Sequence, residues 1–100
     1  MTTHMTRTDL PTLAELTECV HQYARELKSF SPDELREFPG DTAGGECRLQ
    51  VHDGSWQFHT GDSQYDTDHR GEWSSAFVPR GAGLKTCRSI ARNMLAYLLE

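Results

Sequence analysis

The sequence feature that most constrains the fold is a hairpin signal in the middle of the chain. Asp53-Gly54 forms a two-residue turn in which both positions tolerate positive φ. This turn pairs Val51 with Trp56 and Leu49 with Phe58, so the apolar side chains share one face of the hairpin and the polar ones share the other. Turn chemistry and residue alternation predict the same register independently. The chain therefore contains an antiparallel sheet with one apolar face.

Amphipathic helices are predicted on both sides of this hairpin. Apolar residues at i, i+3, i+4, i+7 spacing run over about 11–30, where Thr12 and Glu15 match a capping box. A second apolar stripe begins at Leu84 and continues to the C-terminus. Ser-Pro-Asp-Glu at the start of 31–38 predicts a short additional helix, which a Pro-Gly pair ends. Both long helices need an apolar surface to cover.

A third strand completes the sheet and defines the fold class. Residues 60–71 are polar and form a long connection, and 72–78 has a strand composition with Trp73 and Phe77 on one side. Pro79 ends this strand. The predicted order is α-α-β-β-β-α. We therefore expect an α+β fold, a two-layer sandwich of a three-stranded antiparallel sheet with helices on one face.

Length and composition predict one globular unit. A polar, flexible segment over 1–9 precedes a single domain over 10–100, and the apolar fraction of 36% is ordinary for a globular chain. No apolar run is long enough for a membrane span, and no secretory signal is recognisable. Three scattered cysteines are expected to be buried thiols, which favours a cytoplasmic compartment (Cys19, Cys47 and Cys87).

Charge is distributed unevenly along the chain. The net charge is −5, yet residues 31–79 carry ten acidic residues against three arginines. Residues 80–100 instead carry four cationic residues against Glu100. An acidic middle and a basic last helix predict a dipolar surface, which steers charged partners.

The densest polar cluster is Tyr-Asp-Thr-Asp-His-Arg-Gly over 65–71. It partly matches a calcium loop, but Arg70 stands where an oxygen ligand is needed, and Phe77 occupies the twelfth position. The alternative is that Asp66 and Asp68 accept loop N–H groups and pair with Arg70. We favour this second interpretation, in which the fixed loop is available as a binding surface.

No catalytic or metal-binding arrangement is recognisable. His52 and His59 point to the polar face of the hairpin, but the predicted register separates them by about 13 Å, too far to share an ion. No Ser-His-Asp or Cys-His arrangement can be assigned. We therefore expect a protein that is not an enzyme and holds no cofactor or metal.

The last helix opens with the glycine turn Gly81-Ala82-Gly83. The following Leu84 and Lys85 depart from a phosphate loop, in which Gly, Lys and Ser or Thr are contiguous. A glycine turn before a basic helix is still able to hold a phosphate or carboxylate through its N–H groups. A plain connection is the simpler interpretation.

Two resemblances follow from these residues. The order α-β-β-β-α, with the glycine turn opening a basic helix, is similar to the double-stranded-RNA-binding domain. That family clamps phosphates with the start of its last helix. The resemblance implies a phosphate-binding role for Lys85, Arg88 and Arg92.

The second resemblance covers roughly residues 46–99. The pattern Trp56-x-x-His59-x-Gly61-Asp62 followed by the 65–71 string resembles small proteins encoded by bacteriophages and other mobile elements. Many such proteins inhibit host defence, including anti-CRISPR proteins, and often use acidic surfaces that occupy nucleic-acid-binding sites. The resemblance implies a non-enzymatic inhibitor of this class.

The leading hypothesis is accordingly a protein-binding inhibitor whose acidic surface contacts a host nucleic-acid-handling complex. No membrane partner is expected, and the chain is a monomer or a homodimer. An exposed tryptophan among the acidic residues would be an interface candidate. The alternative is a nucleic-acid-binding module using the last helix, and an enzyme or metal protein built on the 62–69 loop ranks third. The partner-binding residues predicted for the leading hypothesis are Asp62, Tyr65, Asp66, Asp68, His69, Arg70 and Glu72.

Overall fold

The computed structural model describes residues 10–29, 44–52, 54–60 and 72–99. The elements are α1 (Leu13–Ser29), β1 (Gly44–His52), β2 (Ser55–Thr60), β3 (Glu72–Pro79) and α2 (Leu84–Leu99). The order of these elements confirms the predicted α+β fold. The segments predicted as a flexible start over 1–9, a short helix over 31–38 and the 65–71 loop lie outside the described residues.

The sheet has the strand order β2-β1-β3, and both neighbouring pairs are antiparallel. The predicted hairpin register is confirmed, because Val51 lies opposite Trp56 and Leu49 opposite Phe58. Gly54 has a φ of 75°, as the two-residue turn requires. The chain then crosses from β2 to the far side of β1. The central strand is therefore β1, and β3 lies at a sheet edge within the described part of the chain.

Helix α1 begins with the predicted capping box. The backbone N–H of Thr12 donates to Glu15 Oε1 at 2.9 Å, and the N–H of Glu15 donates to Thr12 Oγ1 at 3.0 Å. These two bonds satisfy N–H groups that have no partner inside the helix. Thr12 is therefore the N-cap residue, and the helix begins at Leu13 rather than at the predicted residue 11.

Both helices cover the same face of the sheet. Alternation along β1 directs Cys47, Leu49 and Val51 toward the helices, and all three are fully buried. The predicted apolar stripes of α1 and α2 supply the opposing layer, except that Leu84 is exposed at the first position of α2. The helical side chains that are buried in this core are Leu16, Val20, Tyr23, Ala24, Leu27, Cys87, Ala91, Met94 and Leu98.

The connection between β3 and α2 is fastened to the end of α1. Gly81 has a φ of 72°, and its N–H donates to the carbonyl of Ala24 at 2.9 Å. The Arg80 guanidinium donates to the carbonyl of Lys28, also at 2.9 Å. The Lys28 carbonyl is one of the last four of α1, which have no partner within the helix, whereas the Ala24 carbonyl accepts its bond one turn earlier. The two bonds fix the position at which α2 starts and hence the direction in which it crosses β3.

Candidate interaction surfaces

The edge strand β3 is flanked by a groove. Within the described residues, β3 pairs with β1 on one side and with no strand on the other. An antiparallel edge strand presents N–H and C=O groups that have no partner in the sheet. The groove along this edge has a volume of about 550 Å³ and lies between β3 and α2. It is lined by Trp73, Ser74, Ser75, Ala76, Phe77, Ile90, Asn93, Met94 and Tyr97.

Helix α2 presents a second stripe to this groove, offset from its core stripe. Ile90, Asn93 and Tyr97 follow one another at i, i+3 and i+7, so they lie on one flank of the helix. Tyr97 is 61% exposed. The Ser74 hydroxyl donates to the carbonyl of Met94 at 3.2 Å and ties this part of the helix to β3. The groove therefore has a strand wall and a helix wall joined at its base.

The aromatic side chains of β3 lie on the face of the sheet opposite the helices. Trp73 and Phe77 share one side of the strand, as predicted, and are 47% and 48% exposed. The side chains toward the helices are the small residues Ser74 and Ala76, together with Val78. Trp73 is consequently an exposed tryptophan, although the charged side chain over its ring is Arg48 and not an acidic residue. An exposed aromatic pair beside an open strand edge is a surface suited to pairing with another strand.

Arg48 supports the exposed aromatic pair from the neighbouring strand. Its guanidinium carbon lies 5.3 Å from the centroid of the Trp73 ring, which is a cation–π distance. Arg48 also pairs with Glu46 at 3.2 Å. His59 lies opposite Arg48 in the register, as predicted. The Trp73 ring therefore contacts a cation without being buried.

The predicted phosphate-binding residues form a separate surface. Lys85, Arg88 and Arg92 are all exposed and recur at i, i+3 and i+7 on α2. At about 100° per residue, this stripe lies on the flank of α2 that faces away from the groove. No acidic residue occurs from Leu84 to Leu99. We call the stripe of Lys85, Arg88 and Arg92 the basic flank.

Opposite charges lie at the two ends of β3. Glu72 begins the strand and is exposed, whereas Arg80 follows its last residue and contacts Lys28. A strand of this length separates its ends by roughly 26 Å at about 3.3 Å per residue. Glu72 is the only described member of the predicted partner-binding set. The other six (Asp62, Tyr65, Asp66, Asp68, His69 and Arg70) lie outside the described residues.

The three cysteine thiols all have raised pKa values. Burial is the main cause that raises the pKa of Cys47 to about 12, with Glu46 adding to the effect. Burial likewise raises the pKa of Cys87 and of Cys19, although Cys19 is only half-buried rather than in the core as predicted. A thiol with a raised pKa stays protonated and is a poor nucleophile or metal ligand near neutral pH.

The described part of the chain has neither a metal-ligand cluster nor a membrane-spanning helix. In that part, no group of three His, Cys, Asp or Glu side chains is placed to hold a metal ion. None of its helices combines the length and apolar character that a membrane span requires.

No protein family, curated protein or solved structure matches this chain. The candidate surfaces are therefore defined by the geometry of this chain itself.

Sequence reasoning did not identify the groove. The stripe of Ile90, Asn93 and Tyr97 mixes apolar and polar residues, so it does not stand out beside the stronger core stripe. The sequence signal for this stripe is that two large side chains, Ile90 and Tyr97, recur at helical spacing outside the stripe of α2 that covers the core. Recognising it also needs the position of α2 over β3, which the sequence does not contain.

Proposed function

We propose that this chain is a non-catalytic protein-binding inhibitor that acts by an acidic surface on a nucleic-acid-handling complex of a host cell. The observation that supports the proposal is the uneven distribution of charge between the helices and strands that the structure describes and the rest of the sequence. The whole chain has 15 acidic and 10 basic residues. The described elements carry more cations than carboxylates: Arg25, Lys28, Arg48, Arg80, Lys85, Arg88 and Arg92 against Glu15, Glu18, Glu26, Glu46 and Glu72.

The negative charge of the chain is therefore concentrated in the other segments. Ten of the acidic residues belong to them, and three of these, Asp62, Asp66 and Asp68, precede β3 within a stretch of seven positions. Glu72 follows them and is exposed at the first position of β3. We call Asp62, Asp66, Asp68 and Glu72 the acidic string. These acidic residues thus lead in sequence directly into β3.

A surface of this kind suits a basic, nucleic-acid-binding partner. Clustered carboxylates attract such a partner over a distance of about one Debye length and raise the association rate. Occupying the basic site with carboxylates would exclude the nucleic acid without any chemical step.

The test begins with a pull-down of the tagged chain from bacterial lysate, with and without nuclease. A stoichiometric protein complex that survives nuclease is the expected result. The purified partner is then titrated with the Asp66→Asn/Asp68→Asn variant, whose affinity should fall by about tenfold or more. The weakening should shrink at high salt, because screening removes the same interaction.

The matched control neutralises two acids elsewhere. Glu18→Gln/Glu26→Gln removes the same number of charges from exposed positions of α1. This variant should bind nearly as well as the natural chain. Equal losses for both double variants would show that net charge, and not the acidic string, governs binding. An unchanged affinity of Asp66→Asn/Asp68→Asn would contradict the proposal.

The basic flank favours a second candidate, a nucleic-acid-binding module. Three exposed cations on one helical flank, with no acidic residue from Leu84 to Leu99, provide contacts for successive phosphates. A mobility-shift assay with duplex RNA and duplex DNA at low salt tests this candidate. Replacing Lys85, Arg88 and Arg92 with Gln should weaken the shift strongly and flatten the salt dependence of the binding that remains. Pull-down material that nuclease removes would favour this candidate over the inhibitor.

A further inference from the structure

We propose that β3 pairs antiparallel with β3 of a second copy of this chain, across a two-fold axis through Ser75. The two three-stranded sheets then form one six-stranded sheet. This inference is independent of the proposed function, because it rests on the groove and the strand edge and uses neither the acidic string nor the basic flank. It begins from the position of β3, which carries no strand on its outer side within the described residues.

Edges of this kind are usually protected. Proteins commonly place lysine, proline or inward-pointing charge along an exposed edge strand to prevent pairing. From Trp73 to Val78, β3 has no charged residue, and its single proline is the last residue of the strand. The central part of the edge instead carries two half-exposed aromatic side chains and two serines. Within the described residues, the edge is therefore open to pairing along most of its length.

The sequence of β3 is complementary to itself in one register. Opposed residues of an antiparallel pair lie on the same face of the sheet. With the axis at Ser75, Trp73 lies opposite the second copy's Phe77, and Phe77 lies opposite the second copy's Trp73. Moving the axis to either neighbouring residue places Trp73 opposite Ser75 or Pro79 instead. Only the Ser75 register forms two cross-strand aromatic pairs, which are favourable contacts in sheets.

The helix layer is centred on the same axis. The bond from Ser74 to the carbonyl of Met94 sets the level of α2 along the strand, and Ser75 and Asn93, the sequence neighbours of these two residues, both line the groove. Ile90 and Tyr97 lie on either side of Asn93. Two-fold rotation therefore brings each Tyr97 toward the second copy's Ile90 and the two Asn93 amides toward each other. The Asn93 amide is able both to donate a hydrogen bond to Asn93 of the second copy and to accept one from it.

Charge favours the antiparallel direction. Glu72 lies at the start of β3 and Arg80 directly after its end. Antiparallel pairing places the acidic end of one strand next to the basic end of the other, whereas parallel pairing would place like charges together. Backbone pairing, aromatic contacts, the groove stripe and end charges thus all fit a second copy of this chain.

The first test measures the mass of the full chain in solution by sedimentation velocity under reducing conditions. The expected species has twice the 11.3 kDa mass of one chain. Phe77→Lys introduces an edge lysine and should raise the dimer dissociation constant by about tenfold or more. The control Leu99→Lys changes a residue of similar exposure, 45%, outside the groove and should leave the dimer intact. A monomer at concentrations up to about 100 μM would overturn the proposal, and so would a dimer that Phe77→Lys does not weaken.

The second test reports the register directly. In the proposed dimer, two Ser75 residues face each other across the axis at a Cα separation that suits a disulfide. Ser75→Cys should therefore form a covalent dimer with diamide, which takes two electrons and two protons from the two thiols as the S–S bond forms. The control Gln57→Cys lies on β2 at the opposite sheet edge and is also exposed. The proposal would be overturned if Gln57→Cys formed a covalent dimer and Ser75→Cys did not. It would also be overturned if the natural chain cross-linked through its own thiols as much as Ser75→Cys does.

Discussion

Replacing Gly45 with alanine would test how closely α1 sits on the sheet. A Cβ at Gly45 would overlap the phenol oxygen of Tyr23 and would lie 3.3 Å from its ring carbon Cζ and 3.4 Å from Leu27 Cδ2. Tyr23 and Leu27 are buried in the core. Gly45 lies on the central strand, opposite Val78 of β3. Neither β1 nor the side chains of Tyr23 and Leu27 can move apart without disturbing the packing of α1 on the sheet.

The expected cost follows from this geometry. Adding one methyl group to a well-packed core destabilises a protein by about 1–3 kcal/mol. The overlap with Tyr23 involves a rigid ring rather than a flexible chain end, so we expect about 2 kcal/mol for Gly45→Ala. For a domain of this size, that corresponds to a fall in Tm of about 8–16 °C. Thermal and urea unfolding followed by circular dichroism measures both quantities.

The same substitution at two other glycines separates packing from backbone strain. At Gly83 a Cβ would meet nothing within 4 Å, so Gly83→Ala should leave stability unchanged or raise it by up to about 1 kcal/mol. At Gly81, the φ of 72° is strained for alanine, and a cost of about 1–2 kcal/mol is expected from the backbone alone. If Gly45→Ala proves as harmless as Gly83→Ala, Tyr23 does not pack against β1 as described.

Three further predictions concern the bonds that position the elements. Thr12→Ala removes one half of the capping box and should cost about 1 kcal/mol in urea unfolding; an unchanged midpoint would contradict the role of Thr12 as the N-cap. Ser74→Ala removes the bond to Met94 and should also cost about 1 kcal/mol, and no change in stability would show that this bond does not fasten α2. Burial raises the pKa of Cys47 from its ordinary 9.0 to about 12. The contribution of the buried thiol to the free energy of unfolding is therefore fully present below pH 9. It is lost as the pH rises from 9 to 12, because in that range the Cys47 thiol ionises in the unfolded chain but not in the folded one. Urea unfolding should show this loss in the natural chain and a smaller one in Cys47→Ala; equal slopes would contradict the burial of Cys47.

The hairpin was predictable because its signals are local. The Asp-Gly turn and the alternation around it involve neighbouring residues, so Val51 opposite Trp56 follows from the sequence alone. The capping box of Thr12 and Glu15 is equally local. Helix periodicity also identifies most of the core. Leu84 departs from it because, at about 100° per residue, it lies at the margin of the α2 core stripe, toward the basic flank.

The edge position of β3 was not predictable for the opposite reason. Local signals do not state on which side of β1 the third strand adds, and that choice makes β3 an edge. Alternation places Trp73 and Phe77 on one face but does not say which face. The small Ser74 and Ala76 turn toward α2, where the helix backbone approaches closely enough for Ser74 to bond the carbonyl of Met94. Close approach of helix and strand thus leaves the aromatic side chains outside.

Pairing through β3 has a consequence for the proposed inhibitor. With the axis at Ser75, the two copies of Glu72 lie six residues apart along the paired strands, or roughly 20 Å. Two acidic strings would then join the six-stranded sheet at fixed positions, so one dimer presents two binding sites. On a partner with two basic sites at that spacing, the second contact is intramolecular, and avidity exceeds the affinity of either string.

Avidity makes the two proposals separable in a single experiment. Surface plasmon resonance on densely immobilised partner should show Phe77→Lys dissociating about 10- to 100-fold faster than the natural chain, while a competition assay in dilute solution shows little change. Asp66→Asn/Asp68→Asn should weaken binding in both formats, because it alters each string. Equal behaviour of Phe77→Lys in the two formats would mean that the chain binds its partner one copy at a time. Loss of binding by Phe77→Lys in dilute solution would instead place the contact on the β3 edge itself.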